Sequence, residues 1–250
     1  VVDTPTAAEF TRLTLERVGE EELEAVGRLL AAKSAAFAEL LAPDRIVDLD
    51  EDEARAVLRS VFAARRRVDP ILGTLTLDGF RDEVTRLLWG PGDPAVRLEV
   101  FDRTLSRVGR GAPPSLGYDL GSELLHFTDP ERHWLWTRWM WDPTTRKGAL
   151  PLVVMDEVDL FADGVAESYR RVGVAVAFVT DVGEAAGFTR GGHGPWSTDV
   201  FLASVYGVYM YTTLRIRMTQ EFSKIMPELG ELLRRLLGVY KSPLLSEVVP

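Results

Sequence analysis

The chain has 250 residues, 46% hydrophobic and 27% charged, which supplies a sizeable core and excludes a disordered polymer. Thirty-eight acidic against 29 basic residues give a net charge of −9, which argues against a protein whose main work is coating nucleic acid. Cysteine is absent, so disulfides, thiolate zinc, cysteine-held iron–sulfur clusters and a cysteine nucleophile are excluded. Asparagine is absent too, glutamine occurs once (Gln220), and Arg outnumbers Lys 25 to 4. That usage fits a protein kept at high temperature. Val1 to Phe10 lacks the basic and apolar regions of an export signal. The longest apolar stretch, Val200 to Tyr211, falls well short of the roughly 20 residues of a membrane span. The expected setting is the cytoplasm, with no membrane contact.

Helix signals dominate the first two thirds. Thr6-Ala-Ala-Glu9 has the capping-box pattern and predicts a helix over about 7–18. A second follows from Glu20 to Leu41, with Glu20, Glu21 and Glu22 at the positive end of its dipole and Pro43 beyond it. Asp50 caps a third, expected to run through Arg67 and to hold Arg65, Arg66 and Arg67 in its last turn. That triplet reads either as a solvated helix terminus or as an anion patch. Asp78 opens a short helix to Leu88, and Asp93-Pro94 opens another to about Val108. Gly111 to Pro114 is a loop and a candidate boundary between an N-terminal helical region (1–110) and a C-terminal one (111–250), if the chain is not a single domain. Leu120 to Phe127 reads as a short helix, and Asp129-Pro130 starts another to about Trp141.

Composition shifts after Pro151. Leu152 to Met155 and Val172 to Thr180 are Val-rich and short enough for strands, with 158–171 helical between them, although an all-helical reading stays open. Gly187 to Pro195 is a loop. A long apolar helix then runs from Thr198 or Asp199 to about Met226, and an amphipathic one from Glu228 to Leu237. The fold class is mainly α: a multi-helix globular domain with room for a small β element around 152–180.

Catalytic signatures are sparse. Glu123 and His126 share a helical face and form one Glu-x-x-His pair, where di-metal bundles need two. No metal site is assigned and no cofactor is called for. The Gly187–Trp196 loop places backbone N–H groups ahead of a helix, and with Arg190, His193, Arg215 and Arg217 it forms a candidate anion site. Asp156, Glu157, Asp159, Asp163 and Glu167 read as a solvated acidic face. Trp134, Trp136, Trp139 and Trp141 crowd one segment. Core packing is the default for them, and with Leu229, Leu233 and Leu236 they are the candidate interaction surface.

Gly121-Ser-Glu-Leu-Leu-His-Phe-Thr-Asp-Pro-Glu-Arg132, followed by the Trp-rich segment, resembles a stretch of helix-hairpin-helix proteins related to DNA glycosylases. The resemblance covers about 20 residues. It implies a basic cleft lined by Arg132, Arg138, Arg146 and Lys147. The aspartate such enzymes use to stabilise the sugar cation is replaced at the matching position by Thr137, and no Gly-rich hairpin follows. The resemblance therefore implies binding rather than base excision.

Three functional expectations follow: a non-catalytic interaction or accessory protein, working as a homo-oligomer or with a partner protein; a glycosylase-like nucleic-acid binder, disfavoured by net charge; and a small-molecule enzyme or anion-binding protein using the 187–196 loop.

Overall fold

The structure is a computed structural model that describes residues 2–109, 111–187, 194–217 and 227–245, leaving aside the side chains of 214–217. Among these residues there are ten α-helices and no strand: α1 (Thr4–Arg17), α2 (Glu20–Leu40), α3 (Glu51–Arg59), α4 (Val68–Trp89), α5 (Pro94–Leu105), α6 (Leu116–Thr128), α7 (Leu150–Val153), α8 (Val165–Ala186), α9 (Trp196–Arg217) and α10 (Leu229–Leu236). No helix among them is long and apolar enough to cross a membrane. Side chains from both sides of the 109–117 loop share one hydrophobic cluster.

Several helix starts follow their sequence signals. Asp50 and Glu53 close a reciprocal capping box at 2.8 and 2.9 Å, and Asp93 caps α5 through the Ala95 N–H with Pro94 in the first turn. At α1 the cap is Asp3 rather than Thr6, whose N–H donates to Asp3 Oδ1 at 3.1 Å. Helix α4 begins ten residues before Asp78 but breaks at Thr76 (φ 62°), whose Oγ1 accepts from the Gly79 N–H. The expected start near Asp78 is therefore a restart within a longer element.

Three expectations are corrected. Helix α3 ends at Arg59, residues 62–66 are turns and Arg67 is the N-cap of α4, so the arginine triplet is not the last turn of a helix and no C-terminal dipole accounts for it. No strand forms over 152–180. Leu150–Val153 is one helical turn, the β content among the described residues shrinks to two isolated bridges, Val2 with Val154 and Asp142 with Lys147, and 172–180 lies inside α8. Among the buried positions of α8, Ala166, Tyr169, Val172, Ala175, Val179 and Gly183 recur every three or four residues, a helical period that outweighs the β preference of valine. Finally, residues 130–141 are not a helix but an irregular strap.

The strap lies against α6, the central helix of the fold. Helix α6 packs on α2, α4 and α5, and every residue from Leu116 to Phe127 is buried. One side approaches α5 closely: a Cβ at Gly121 would sit 2.5 Å from Leu98 Cδ1, and one at Gly117 2.5 Å from the Asp102 Cα. The opposite side carries Asp119, Ser122, Glu123 and His126, a polar stripe at i, i+3, i+4 and i+7. The strap runs antiparallel along this stripe. His126 Nδ1–H donates to the His133 carbonyl at 2.7 Å, Ser122 Oγ accepts the Trp136 N–H at 2.6 Å, and Asp119 Oδ1 accepts the Arg138 N–H at 2.6 Å. Those backbone donors are satisfied by α6 side chains, and a helix through 130–141 has no need to form.

Candidate functional site

A cavity of about 500 Å³ opens where α6, the strap, α9, α10 and the turn after α3 meet. That is within the usual range for a site that encloses a small organic molecule. Apolar walls come mainly from Phe62, Trp139, Met210, Leu232 and Leu236, with Tyr206 beside them; Asp119, Glu123 and Thr137 supply buried polar groups; Arg65, Arg66, Arg67 and Arg138 add basic ones. The three acceptor-bearing residues are almost fully buried (Asp119 5%, Glu123 1%, Thr137 2% exposed), whereas Arg66 and Arg138 are exposed and Arg65 is half-buried. The cavity thus has a dry polar floor and a basic mouth.

Behind the floor stands a buried ion pair. Lys33 Nζ donates to Glu123 Oε2 at 2.8 Å and to the Leu237 carbonyl at 3.0 Å, and it lies 3.8 Å from the centre of the Phe127 ring. The carbonyl belongs to the end of α10, where a cation suits the helix dipole. Gly238 follows with φ +72°, and a Cβ there would meet the Ser60 carbonyl at 2.1 Å and Lys33 Nζ at 2.8 Å. Only glycine lets the chain turn this close to the lysine. Burial pushes the Glu123 carboxyl up and the Lys33 ammonium down, each opposed by the partner's charge.

One helical turn further along α6, His126 Nε2 meets Asp199 Oδ2 at 2.7 Å, both side chains buried. Nδ1 faces a carbonyl, which can only accept, so Nδ1 carries a proton. Burial alone lowers this histidine's pKa. The charge and hydrogen bond of Asp199, with the His133 carbonyl, outweigh it and leave the net shift upward. Glu123 and His126 are therefore spent on separate partners rather than on one metal ion. Among the described residues no group of three or more potential ligands surrounds a metal position.

Seven buried side-chain polar atoms have no hydrogen-bond partner among the described residues; three of them, Glu123 Oε1, Thr137 Oγ1 and Trp139 Nε1, belong to residues that line the cavity, and the other four to residues that do not. The Phe62 amide leans toward the Glu123 carboxylate and lowers its pKa without completing a hydrogen bond to Oε1. Orphaned buried polar atoms cost about 1–3 kcal/mol each. Thr137→Val should accordingly raise the stability of the unliganded protein by about 1 kcal/mol, or about 2–4 °C in Tm. Calorimetry of the two proteins checks this, and a clear loss of stability would show that the hydroxyl has a structural partner.

Asp119 adds a titratable group in the useful range. Burial pushes its carboxyl up to about 7 from 3.8, against the pull of the Arg138 N–H. A carboxyl with a raised folded pKa contributes stability that is complete below its unfolded value and is lost as pH rises through the folded one. Here that window runs from 3.8 to about 7. Asp119→Asn keeps an acceptor for the Arg138 N–H and does not titrate. Urea denaturation across this window should show the wild type losing stability relative to the variant as pH rises, and parallel curves would place the Asp119 pKa near its ordinary value.

The sequence candidates distribute unevenly around this site. Arg190 and His193 lie outside the described residues, as do the side chains of Arg215 and Arg217 at the end of α9. Trp136, Trp139, Trp141, Leu229, Leu233 and Leu236 are buried within the chain, so they do not form the exposed interaction surface expected of them; Trp134 is half-buried, its Nε1–H donating to the Tyr169 carbonyl at 2.8 Å. Trp136 stacks on Tyr118 with ring centres 4.3 Å apart, and Trp139 lines the cavity. Of the four basic residues assigned to a nucleic-acid cleft, only Arg138 lines the cavity; Arg132 pairs with Asp129 at 3.5 Å, Arg146 lies over the Phe161 ring, and Lys147 is exposed. The second helix of a helix-hairpin-helix unit is absent, since 130–141 is the strap. The tail docks on its own chain as far as Leu245, through Ser242 Oγ and Ser60 Oγ at 2.7 Å. Two acids of the acidic segment, Asp159 and Glu167, pair at the surface with Arg171.

Sequence reasoning missed Lys33, Asp119, Ser122 and the pairing role of Asp199. A signal existed for the first: Lys33 falls on the stripe of Leu23, Val26, Leu30 and Phe37, where an apolar side chain belongs. Comparison of the chain with protein-family models, curated proteins and solved structures finds no match.

Proposed function

We propose that the chain is a small-molecule protein whose ligand occupies the cavity between α6, the strap, α9 and α10, and that Asp119 exchanges a proton with it. One observation carries the reading: of seven buried polar atoms without partners among the described residues, three, Glu123 Oε1, Thr137 Oγ1 and Trp139 Nε1, belong to residues that line a single cavity. Native interiors leave few such atoms, and a ligand that supplies their hydrogen bonds accounts for all three together. Asp119 suits the role of general acid or base because its pKa of about 7 keeps both protonation states populated near neutral pH. Relative to the small-molecule expectation drawn from the sequence, the site moves from the 187–196 loop to the cavity. Of the residues assigned to the interaction reading, all but the half-buried Trp134 are buried in this chain.

A general probe tests this reading. The dye 1-anilinonaphthalene-8-sulfonate has an aromatic body and one anionic group, and should bind the folded protein saturably with one dye per chain. Leu232→Trp, which fills the cavity from α10, should abolish the fluorescence gain while the circular dichroism spectrum stays unchanged. A gain that survives Leu232→Trp, or no gain in the wild type, would contradict the proposal.

A further inference from the structure

We infer that the ligand is an amphipathic organic anion, held by a phosphate or carboxylate at the arginine mouth, with an apolar body along the walls and a hydroxyl or amine reaching the Glu123 floor. This deepens the reading above and rests on it.

The mouth supports the anionic group. Among the described residues Arg65, Arg66 and Arg138 have no salt bridge, in a chain whose other arginines are largely paired with acids. Arg65 lies over the Phe62 ring at 4.4 Å, which holds the guanidinium in place without neutralising it. Burial, with the neighbouring charges of Arg66 and Arg235, pushes its pKa down against the opposing pull of Glu123. Such a concentration of positive charge stands out against a net charge of −9. The triplet lies between the end of α3 and the N-cap of α4, Arg67, so no C-terminal dipole explains it.

The floor supports the other end. Glu123 is fixed by Lys33 through Oε2 alone, which leaves Oε1 as an acceptor for a donor on the ligand. Thr137 Oγ1 offers a donor and an acceptor, and Trp139 Nε1 only a donor. A hydroxyl, which both donates and accepts, satisfies this set; a methyl group satisfies none of it. Lys33 pairs with Glu123 and burial raises the Asp119 carboxyl to about 7, so the floor repels an anion held at the mouth less than two free carboxylates would. Between the two ends, Phe62, Met210, Leu232 and Leu236 offer apolar surface, and Trp139 and Tyr206 add rings that each carry one polar group.

The test is a matched set of probes titrated by calorimetry: ω-hydroxyalkyl phosphates of eight to twelve carbons, alkyl phosphates and alkane diols of the same lengths, and inorganic phosphate. The hydroxyalkyl phosphates should bind tightest. Replacing the terminal hydroxyl by methyl should weaken binding about tenfold, and removing the phosphate should weaken it at least tenfold. The double variant Arg65→Ala with Arg138→Ala should erase the preference for phosphate and keep the preference for hydroxyl. Thr137→Val should do the reverse. Diols binding as tightly as the phosphates, with Leu232→Trp abolishing both, would overturn the anionic assignment and leave the cavity reading standing. Binding of inorganic phosphate as tight as that of the organic phosphates would also overturn the assignment. Indifference of all probes to Leu232→Trp would overturn both.

Discussion

Lys33→Met should destabilise the protein by about 3–5 kcal/mol, the usual cost of stranding one member of a buried ion pair. At this chain length that is a fall in Tm of about 10 °C or more. Lys33 is fully buried and Glu123 nearly so, and the lysine also closes the end of α10 through the Leu237 carbonyl. Without the ammonium, the upward push of burial on Glu123 is opposed only by the Phe62 amide and the charge of His126, so the carboxyl takes up a proton more readily. The pH dependence has a definite sign. A carboxyl with a raised folded pKa contributes least at high pH, so the deficit of the variant should be largest in the alkaline range and shrink as pH falls toward the ordinary value of 4.5. The double variant Lys33→Met with Glu123→Leu should recover most of the loss, because removing both charges also removes their desolvation. Chemical denaturation of the three proteins decides it. A single variant as stable as the wild type would mean that the pair is open to water.

The second large effect belongs to Asp199→Ala and runs the other way with pH. His126 has its pKa raised in the folded chain because the Asp199 carboxylate outweighs burial. Stability from such a group is complete below the unfolded value of 6.5 and is lost as pH rises through the raised folded value. In the variant the histidine is buried without its counter-charge, so its pKa falls and it resists protonation. The deficit should reach about 3–5 kcal/mol on the acidic side of 6.5 and be smaller well above it. A deficit independent of pH would mean that His126 stays neutral in the wild type.

Legibility of the fold tracked local chemistry. Caps carried by one or two residues, Asp50 with Glu53 and Asp93 with Pro94, were readable because the interactions are local. The strap was not, because Trp136 and Arg138 take their backbone partners from Ser122 and Asp119, residues 14 and 19 positions away in the chain. Helix α8 was misread for a different reason: a run of valines between 172 and 179 suggests strand, and only the wider spacing from Ala166 to Gly183 shows the helical period.

The site was legible only in fragments. Glu123 and His126 were visible as a pair on one face, and the arginine triplet as a choice between terminus and anion patch. Their partners, Lys33 and Asp199, come from helices distant in sequence, and no spacing rule connects them. Asp119 and Ser122 complete an i, i+3, i+4, i+7 stripe in an otherwise apolar segment, a pattern detectable once α6 is seen to be buried on all sides. The cavity joins α6, α9, α10, the strap and the turn after α3, which no local pattern brings together.

The most direct test is a crystal structure of the protein soaked with 1-anilinonaphthalene-8-sulfonate. The account predicts the dye inside the cavity, its sulfonate beside Arg65 or Arg138 and its amine within hydrogen-bond distance of Glu123 Oε1 or Thr137 Oγ1. A cavity closed by inward movement of Tyr206 or Leu232, with the dye elsewhere or absent, would contradict it.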